Sequence, residues 1–87
     1  MKRWTQIFKA FANSNRLKII VLLSRGTPRN VTEIAGELRI SLKATSKHLI
    51  LLHNLDVLEA KGEKGHVFYS LNSDMPKDLR IAIRLFL

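Results

Sequence analysis

The chain has 87 residues, 46% of them hydrophobic and 25% charged, which suits one globular domain with a small core. Its 15 lysines and arginines exceed its 7 acidic residues, so the formal net charge of +8 favours an anionic partner, nucleic acid ahead of a membrane surface. Cysteine is absent, which excludes disulfides, thiolate metal sites and cysteine nucleophiles.

Composition alone also fits a merely soluble basic protein. The longest unbroken apolar run, residues 19–23, is far too short to span a membrane, and Lys9 interrupts the N-terminal stretch that a signal peptide would need. We therefore expect a cytoplasmic protein with no membrane partner.

Two helices are predicted in the first third of the chain. Residues 1–12 carry an apolar stripe at helical spacing, formed by Trp4, Ile7, Phe8 and Phe11. The segment Asn13-Ser14-Asn15 offers capping side chains, and a second helix follows from about Ser14 to Ser24. This second helix is apolar over much of its circumference, so we expect it at the centre of the core. Gly26 and Pro28 end it.

A helix-turn-helix is predicted next. Asn30 and Glu33 have the spacing of a capping box, and the apolar stripe of the third helix ends at Leu38. Only Arg39 and Ile40 separate it from Ser41, a good N-cap for a fourth helix over residues 42–54.

The predicted fourth helix has two unlike faces. One face is largely apolar and consists of Thr45, Leu49 and Leu52, flanked by His48 and Leu55. The opposite face consists of Lys43, Ser46, Lys47, Ile50 and Asn54. A helix N-terminus carries free N–H groups and positive partial charge, so the polar, cationic first turns favour phosphate. The alternative is an ordinary helix with a solvated lysine face.

The rest of the chain predicts a wing and a last helix. Residues 57–61 and 66–71 are β-prone runs around a four-residue loop, 62–65, which indicates a β-hairpin with Lys61 and Lys64 on it. A last helix is expected over residues 77–87. The predicted fold is therefore mostly α with a small β-hairpin, a winged helix-turn-helix in the order α-α-α-α-β-β-α, as one domain over residues 1–87.

The terminal helices hold more large apolar side chains than a compact winged helix needs. Such a surplus favours a subunit interface, so residues 1–12 and 77–87 are predicted to be dimerisation helices. The predicted interface residues are Trp4, Ile7, Phe8, Phe11, Leu79, Ala82, Ile83 and Phe86.

At this point the sequence resembles the ArsR-like winged-helix transcriptional regulators. The similar segments are "FANSNRLKIIVLL", "VTEIAGELRISLKATSKHLILL" and "GHVFYSL". The resemblance implies homodimers joined through the first and last helices, and a major-groove role for the positions of Leu42, Lys43, Ser46 and Lys47. The metal ligands of the family are missing, because Asn30 and Thr32 replace a Cys-x-Cys pair and the last helix offers Asp78 and then only Arg80 and Arg84. We therefore expect no metal and no cofactor, and the effector is not identified.

Catalysis finds no support in the sequence. There is no phosphate-binding glycine loop, nucleophile elbow or carboxylate pair, so we expect no enzyme. His48 and His53 are five residues apart and do not share a helix face as a zinc pair does.

The main hypothesis is a sequence-specific regulator of transcription, a repressor, that binds double-stranded DNA as a homodimer. The helix over residues 42–54 would enter the major groove, and the wing over residues 57–71 would contact the DNA backbone or minor groove. The predicted DNA-binding residues are Ser41, Leu42, Lys43, Ser46, Lys47, Lys61 and Lys64. The alternative is a winged-helix module that binds protein or RNA without reading DNA sequence.

Overall fold

The computed structural model describes residues 1–87 and has the predicted order of elements. It consists of α1 (Lys2–Phe11), α2 (Ser14–Leu23), α3 (Val31–Leu38), α4 (Leu42–Asn54), β1 (Leu58–Glu63), β2 (His66–Leu71) and α5 (Lys77–Ile83). The two strands pair in an antiparallel hairpin. This arrangement is a winged helix-turn-helix, as predicted. None of the helices is long and apolar enough to cross a membrane.

Side-chain caps set where three of the helices begin. Asn13 accepts a hydrogen bond from the backbone N–H of Arg16 at the start of α2. Asn30 and Glu33 form the reciprocal capping box that their spacing predicts, with N···O distances of 2.9 and 3.0 Å. Ser41 Oγ accepts from the N–H of Ala44 at 3.0 Å and begins α4. Each cap contributes about 1 kcal/mol to helix stability.

The core is built around α2, as its sequence predicts. Ile19 and Ile20 have no exposed surface, and Leu23 is 2% exposed. They belong to a single cluster of fourteen buried apolar side chains, which come from all five helices, β1 and the adjoining loops. One core of this size is consistent with a single domain.

The turn of the wing differs from the prediction. Strand β1 continues to Glu63, which pairs with His66, so only Lys64 and Gly65 lie in the turn. Their φ angles are +50° and +80°, as a type I′ turn requires. The predicted four-residue loop over 62–65 is therefore wrong: Gly62 pairs with Val67, and the tighter turn matches the twist of the strands.

A single-residue bridge also extends the sheet beyond the hairpin. Arg29 and Tyr69 exchange two backbone hydrogen bonds, with N···O distances of 3.0 and 2.8 Å. The bridge fixes the segment before α3 against β2. One residue carries no periodicity, so the sequence could not predict it.

Helix α5 is shorter than predicted and ends at Ile83. The backbone N–H groups of Leu85 and Phe86 bond to carbonyls three residues earlier, at 3.1 and 3.3 Å, so the chain tightens into turns. Phe86 then packs edge-on against Phe11, with ring centroids 5.7 Å apart. The dimerisation helix predicted over 77–87 thus consists of a seven-residue helix and a turn.

Half of the predicted dimer stripe lies inside the protomer. Ile7 and Leu79 have no exposed surface, and Ala82 and Ile83 are 2% and 9% exposed. These four side chains belong to the hydrophobic core of the protomer, so they are not available on the surface of a single protomer. The large apolar side chains that remain exposed near the two termini are Met1, Phe8, Ile81, Leu85 and Leu87. Trp4, Phe11 and Phe86 are half-buried at the edge of the core.

Candidate nucleic-acid interface

The buried face of α4 supports the helix against the body of the protein. Thr45 and Leu52 have no exposed surface, and Leu49 is 1% exposed, as the helical wheel predicts. The buried hydroxyl of Thr45 donates to the carbonyl oxygen of Ser41 at 2.8 Å, so this polar group is satisfied.

The opposite face of α4 is open to solvent. Lys43 and Lys47 are exposed, Ser46 is half-buried, and the apolar Leu42 keeps 53% of its surface exposed. Neither lysine is in an ion pair. Both charges are one helical turn apart on one face and are free to interact with an anion.

Ser41 closes this face at the start of α4. Its side-chain oxygen is engaged as a cap, while the hydroxyl hydrogen can still be donated to a bound phosphate. No acidic residue lies in the first turn. The helix N-terminus therefore keeps its full positive potential, and the two lysines add to it.

The wing carries the second predicted set of cations. Lys61 is exposed on β1, and Lys64 is exposed at the tip of the turn. The hairpin is joined directly to the C-terminal end of α4, where the N–H of Val57 bonds to the carbonyl oxygen of Leu52 at 3.0 Å. The helix and the wing are thus held as one unit.

Arg16 positions α4 and was missed by sequence reasoning. Its guanidinium donates to the carbonyl oxygens of Ala10 and Lys9, in the last turn of α1. Its Nη1 also lies 3.3 Å from Nδ1 of His48 on α4. Burial, and then the nearby Arg16 charge, lower the pKa of His48, so the neutral ring that accepts from Arg16 is favoured.

Asp78, the acidic residue that the last helix offers as a metal ligand, is paired with Arg3. Asp78 forms two hydrogen bonds with the guanidinium of Arg3, of 2.9 and 3.3 Å, and these join α1 to α5. The hydrogen bonds from Arg3 lower the pKa of Asp78. No group of three or more His, Asp or Glu side chains lies together in a way that could hold a metal ion.

Comparison with known proteins points to one family. Residues 13–60 match the family model described as bacterial regulatory protein, arsR family. The cadmium resistance transcriptional regulatory protein CadC homolog of Staphylococcus aureus is 34% identical over 74 residues, which are 85% of this chain and 61% of that protein. The chain thus spans about three fifths of this relative. The transcriptional repressor SdpR of Bacillus subtilis is 32% identical over 72 residues, 83% of this chain and 79% of the repressor.

A solved structure shares the whole fold. The homodimeric winged helix-turn-helix DNA-binding domain of Mb0332 from Mycobacterium bovis superimposes with a TM-score of 0.79 at 28% identity. The match covers 97% of this chain and 74% of that one.

Proposed function

The chain belongs to the ArsR family of bacterial regulatory proteins, and on that premise we propose that it represses transcription by binding an inverted-repeat operator in double-stranded DNA as a homodimer. Winged-helix regulators of this family bind DNA. The observation that carries the proposal is the unpaired cationic face of α4, held on a fully buried opposite face. The protein performs no catalysis and acts in the cytoplasm.

In this proposal the N-terminal half of α4 lies in the major groove. Ser46 and Lys47 hydrogen-bond to base edges, and the exposed side chain of Leu42 contacts a thymine methyl group. Lys43 and Ser41 contact phosphates at the groove edge, where the helix N-terminus favours negative charge. The buried hydroxyl and leucines behind them keep the reading face rigid.

The wing supplies contacts that do not depend on sequence. Lys61 and Lys64 are exposed, and the tight turn limits the motion of the tip. Their ammonium groups contact the DNA backbone or enter the minor groove beside it. Such contacts position the protein and make its affinity strongly dependent on salt.

Dimerisation places two such units on one DNA. The domain from Mycobacterium bovis is homodimeric, and here Phe8 on α1, Ile81 on α5, and Leu85 and Leu87 after it are exposed apolar side chains. Phe8 is 57% exposed and stacks on Trp4, with ring centroids 5.8 Å apart. Aromatic side chains of this kind are typical anchors of an interface. We assign the dimer surface to Phe8, Trp4, Ile81, Leu85 and Leu87.

In this proposal the dimer represses transcription by occupying DNA at the promoter. The repressor from Bacillus subtilis is similar over most of this chain, and a dimer bound across a promoter excludes other proteins from it. No metal takes part as the effector in this proposal, because the chain has no thiolate and Asp78 is held by Arg3.

Selection of bound fragments from a random duplex library tests the proposal. We expect enrichment of an inverted repeat whose half-sites are centred about one helical turn apart or a multiple of it. Binding to duplexes without enrichment of any sequence would contradict sequence-specific repression. Preferential binding of RNA or of a protein partner, with no salt-dependent duplex binding, would favour the alternative module.

A further inference from the structure

Three residues other than glycine have a left-handed backbone in this protein. They are Arg39, Asp56 and Lys64, with φ angles of +56°, +68° and +50°. An L-residue with a long side chain adopts this conformation at a cost in free energy, whereas glycine does so freely. Asp and Asn are the side chains that tolerate it best, because they are short and polar. Asp56 fits that rule, and the two cations do not.

Nothing inside the protein accounts for the arginine at position 39. Its backbone ends α3 and its N–H bonds to the carbonyl oxygen of Ala35, which a glycine would do equally well. Its side chain is exposed, makes no hydrogen bond and is in no ion pair, although Glu37 is two residues away. The backbone strain at Arg39 is therefore not offset by any interaction of its side chain within the protein.

The position of Arg39 indicates which interaction could offset this strain. It stands two residues before Ser41, the N-cap of α4, at the same end of the helix as Lys43. The guanidinium is long and exposed, and it can form two parallel hydrogen bonds with a phosphate.

We propose that Arg39 contacts a DNA phosphate at the edge of the major groove, and that this contact offsets the backbone strain of the helix-turn-helix turn. The inference rests on the proposed function. It adds Arg39, which was not among the DNA-binding residues predicted from the sequence. Arg39 thus acts as a clamp on the DNA backbone, next to the base-reading face of α4.

The other two left-handed residues, Lys64 and Asp56, differ in charge and in their position relative to the proposed DNA-binding surface. Lys64 repeats the combination of strain, exposure and an unpaired positive charge, at the wing tip that faces the DNA in the proposed function. Asp56 lies past the opposite end of α4, and its carbonyl oxygen accepts a hydrogen bond from Asn72 at 3.1 Å. Strained cations thus occur on the DNA side, and the tolerated acid occurs away from it.

Arg39→Gly tests the inference because it separates stability from binding. We expect the melting temperature to stay level or rise by up to about 4–8 °C, since the strain is removed. Affinity should fall several-fold on the operator and on random duplex alike, because a phosphate contact carries no sequence information. The slope of log affinity against log salt should lose about 0.9 per subunit. Arg39→Lys should keep the charge and most of the salt slope.

Two matched variants serve as controls. Asp56→Gly relieves the same backbone conformation at the far end of α4 and should not lower DNA affinity, because it removes no positive charge. Lys9→Gln removes one exposed positive charge at a pocket that Asn54 also lines, and Asn54 is about 16 Å along α4 from Lys43. This variant should change affinity much less than Arg39→Gly does.

The outcomes separate the two proposals. Unchanged affinity and salt slope in Arg39→Gly, with loss of binding in Lys47→Ala, would overturn the role of Arg39 and leave the proposed function standing. An equal loss in Lys9→Gln and Arg39→Gly would also overturn it, because any cation would then serve. A wild-type protein that binds no duplex DNA would overturn both.

Discussion

Arg16 shows how a single side chain connects the terminal region to α4. It lies in the first turn of α2, caps the last turn of α1 and contacts His48 on α4. A cation at the C-terminal end of α1 also interacts favourably with the helix dipole. One residue therefore holds three helices in register.

The contact between Arg16 and His48 predicts a dependence of stability on pH. Burial and the Arg16 charge lower the pKa of His48 in the folded state, so the unfolded chain binds more protons just below its own value of about 6.5. The free energy of unfolding should be constant above that value, fall as the pH drops through it, and level off below the folded pKa.

Urea unfolding between pH 5 and 8 measures this effect. His48→Gln should flatten the fall near pH 6.5, whereas His53→Gln, at an exposed position on the same helix, should retain it. A wild-type curve and a His48→Gln curve of the same shape would refute the assignment.

Interactions between residues close in sequence were predictable, whereas interactions between distant residues were not. The caps at Asn13, Asn30 and Ser41 were predictable, because each bonds to a backbone group three residues away. The left-handed conformation of Arg39 was expected only from the resemblance to the ArsR-like family, which usually has glycine at this turn. The partners of Arg16 are up to 32 residues away, and no local pattern indicates them.

At the scale of elements, the capping box makes α3 a stable first half of the helix-turn-helix. Asn30→Ala should lower the free energy of unfolding by about 1 kcal/mol, because the N–H of Glu33 loses its acceptor. Asn15→Ala is the matched control, since Asn15 caps no helix, and it should change stability by less than half as much. Equal losses in the two variants, measured by urea unfolding, would show that the box adds nothing.

Two element boundaries were mispredicted, the end of α5 because of side-chain packing and the turn of the wing because of strand pairing. The apolar period of the last helix continues to Phe86, but the helix stops at Ile83 because Phe86 packs on Phe11 from a turn. Periodicity reports which side chains are buried and not whether the backbone is still helical. The wing turn was placed too wide because glycine at position 62 resembles a loop signal, although the ladder includes it.

At the scale of the whole molecule, we propose that the apolar residues near the two termini divide into core residues and residues of the dimer surface. Both classes have the same periodicity in the sequence, so the predicted stripe combined them. Burial supports the proposed division: Ile83 is 9% exposed, whereas Phe8 is 57% exposed.

That separation predicts different outcomes for two charged substitutions. Phe8→Glu should give a folded monomer, because a buried charge would disfavour the interface while the core stays intact. Its affinity for the operator should fall, since each half-site loses the effective concentration provided by its partner. Ile83→Glu should instead unfold the protein, because it places a charge in the core.

Sedimentation equilibrium and circular dichroism distinguish these outcomes. Val67→Glu is the control, since Val67 is 48% exposed on the wing and should leave the dimer intact. A Phe8→Glu protein that remains dimeric at micromolar concentration would contradict the assigned surface.

The comparison of Lys47→Ala with Lys64→Ala on operator and random duplexes, over a range of salt concentrations, tests most directly whether α4 reads DNA sequence. The account predicts that Lys47→Ala costs roughly 1–3 kcal/mol per half-site on the operator and much less on random DNA. Lys64→Ala should weaken binding to both duplexes about equally and reduce the salt slope by about one per subunit. If both variants lose affinity in the same proportion on both duplexes, α4 provides only an electrostatic patch, and the protein is not a sequence-specific regulator.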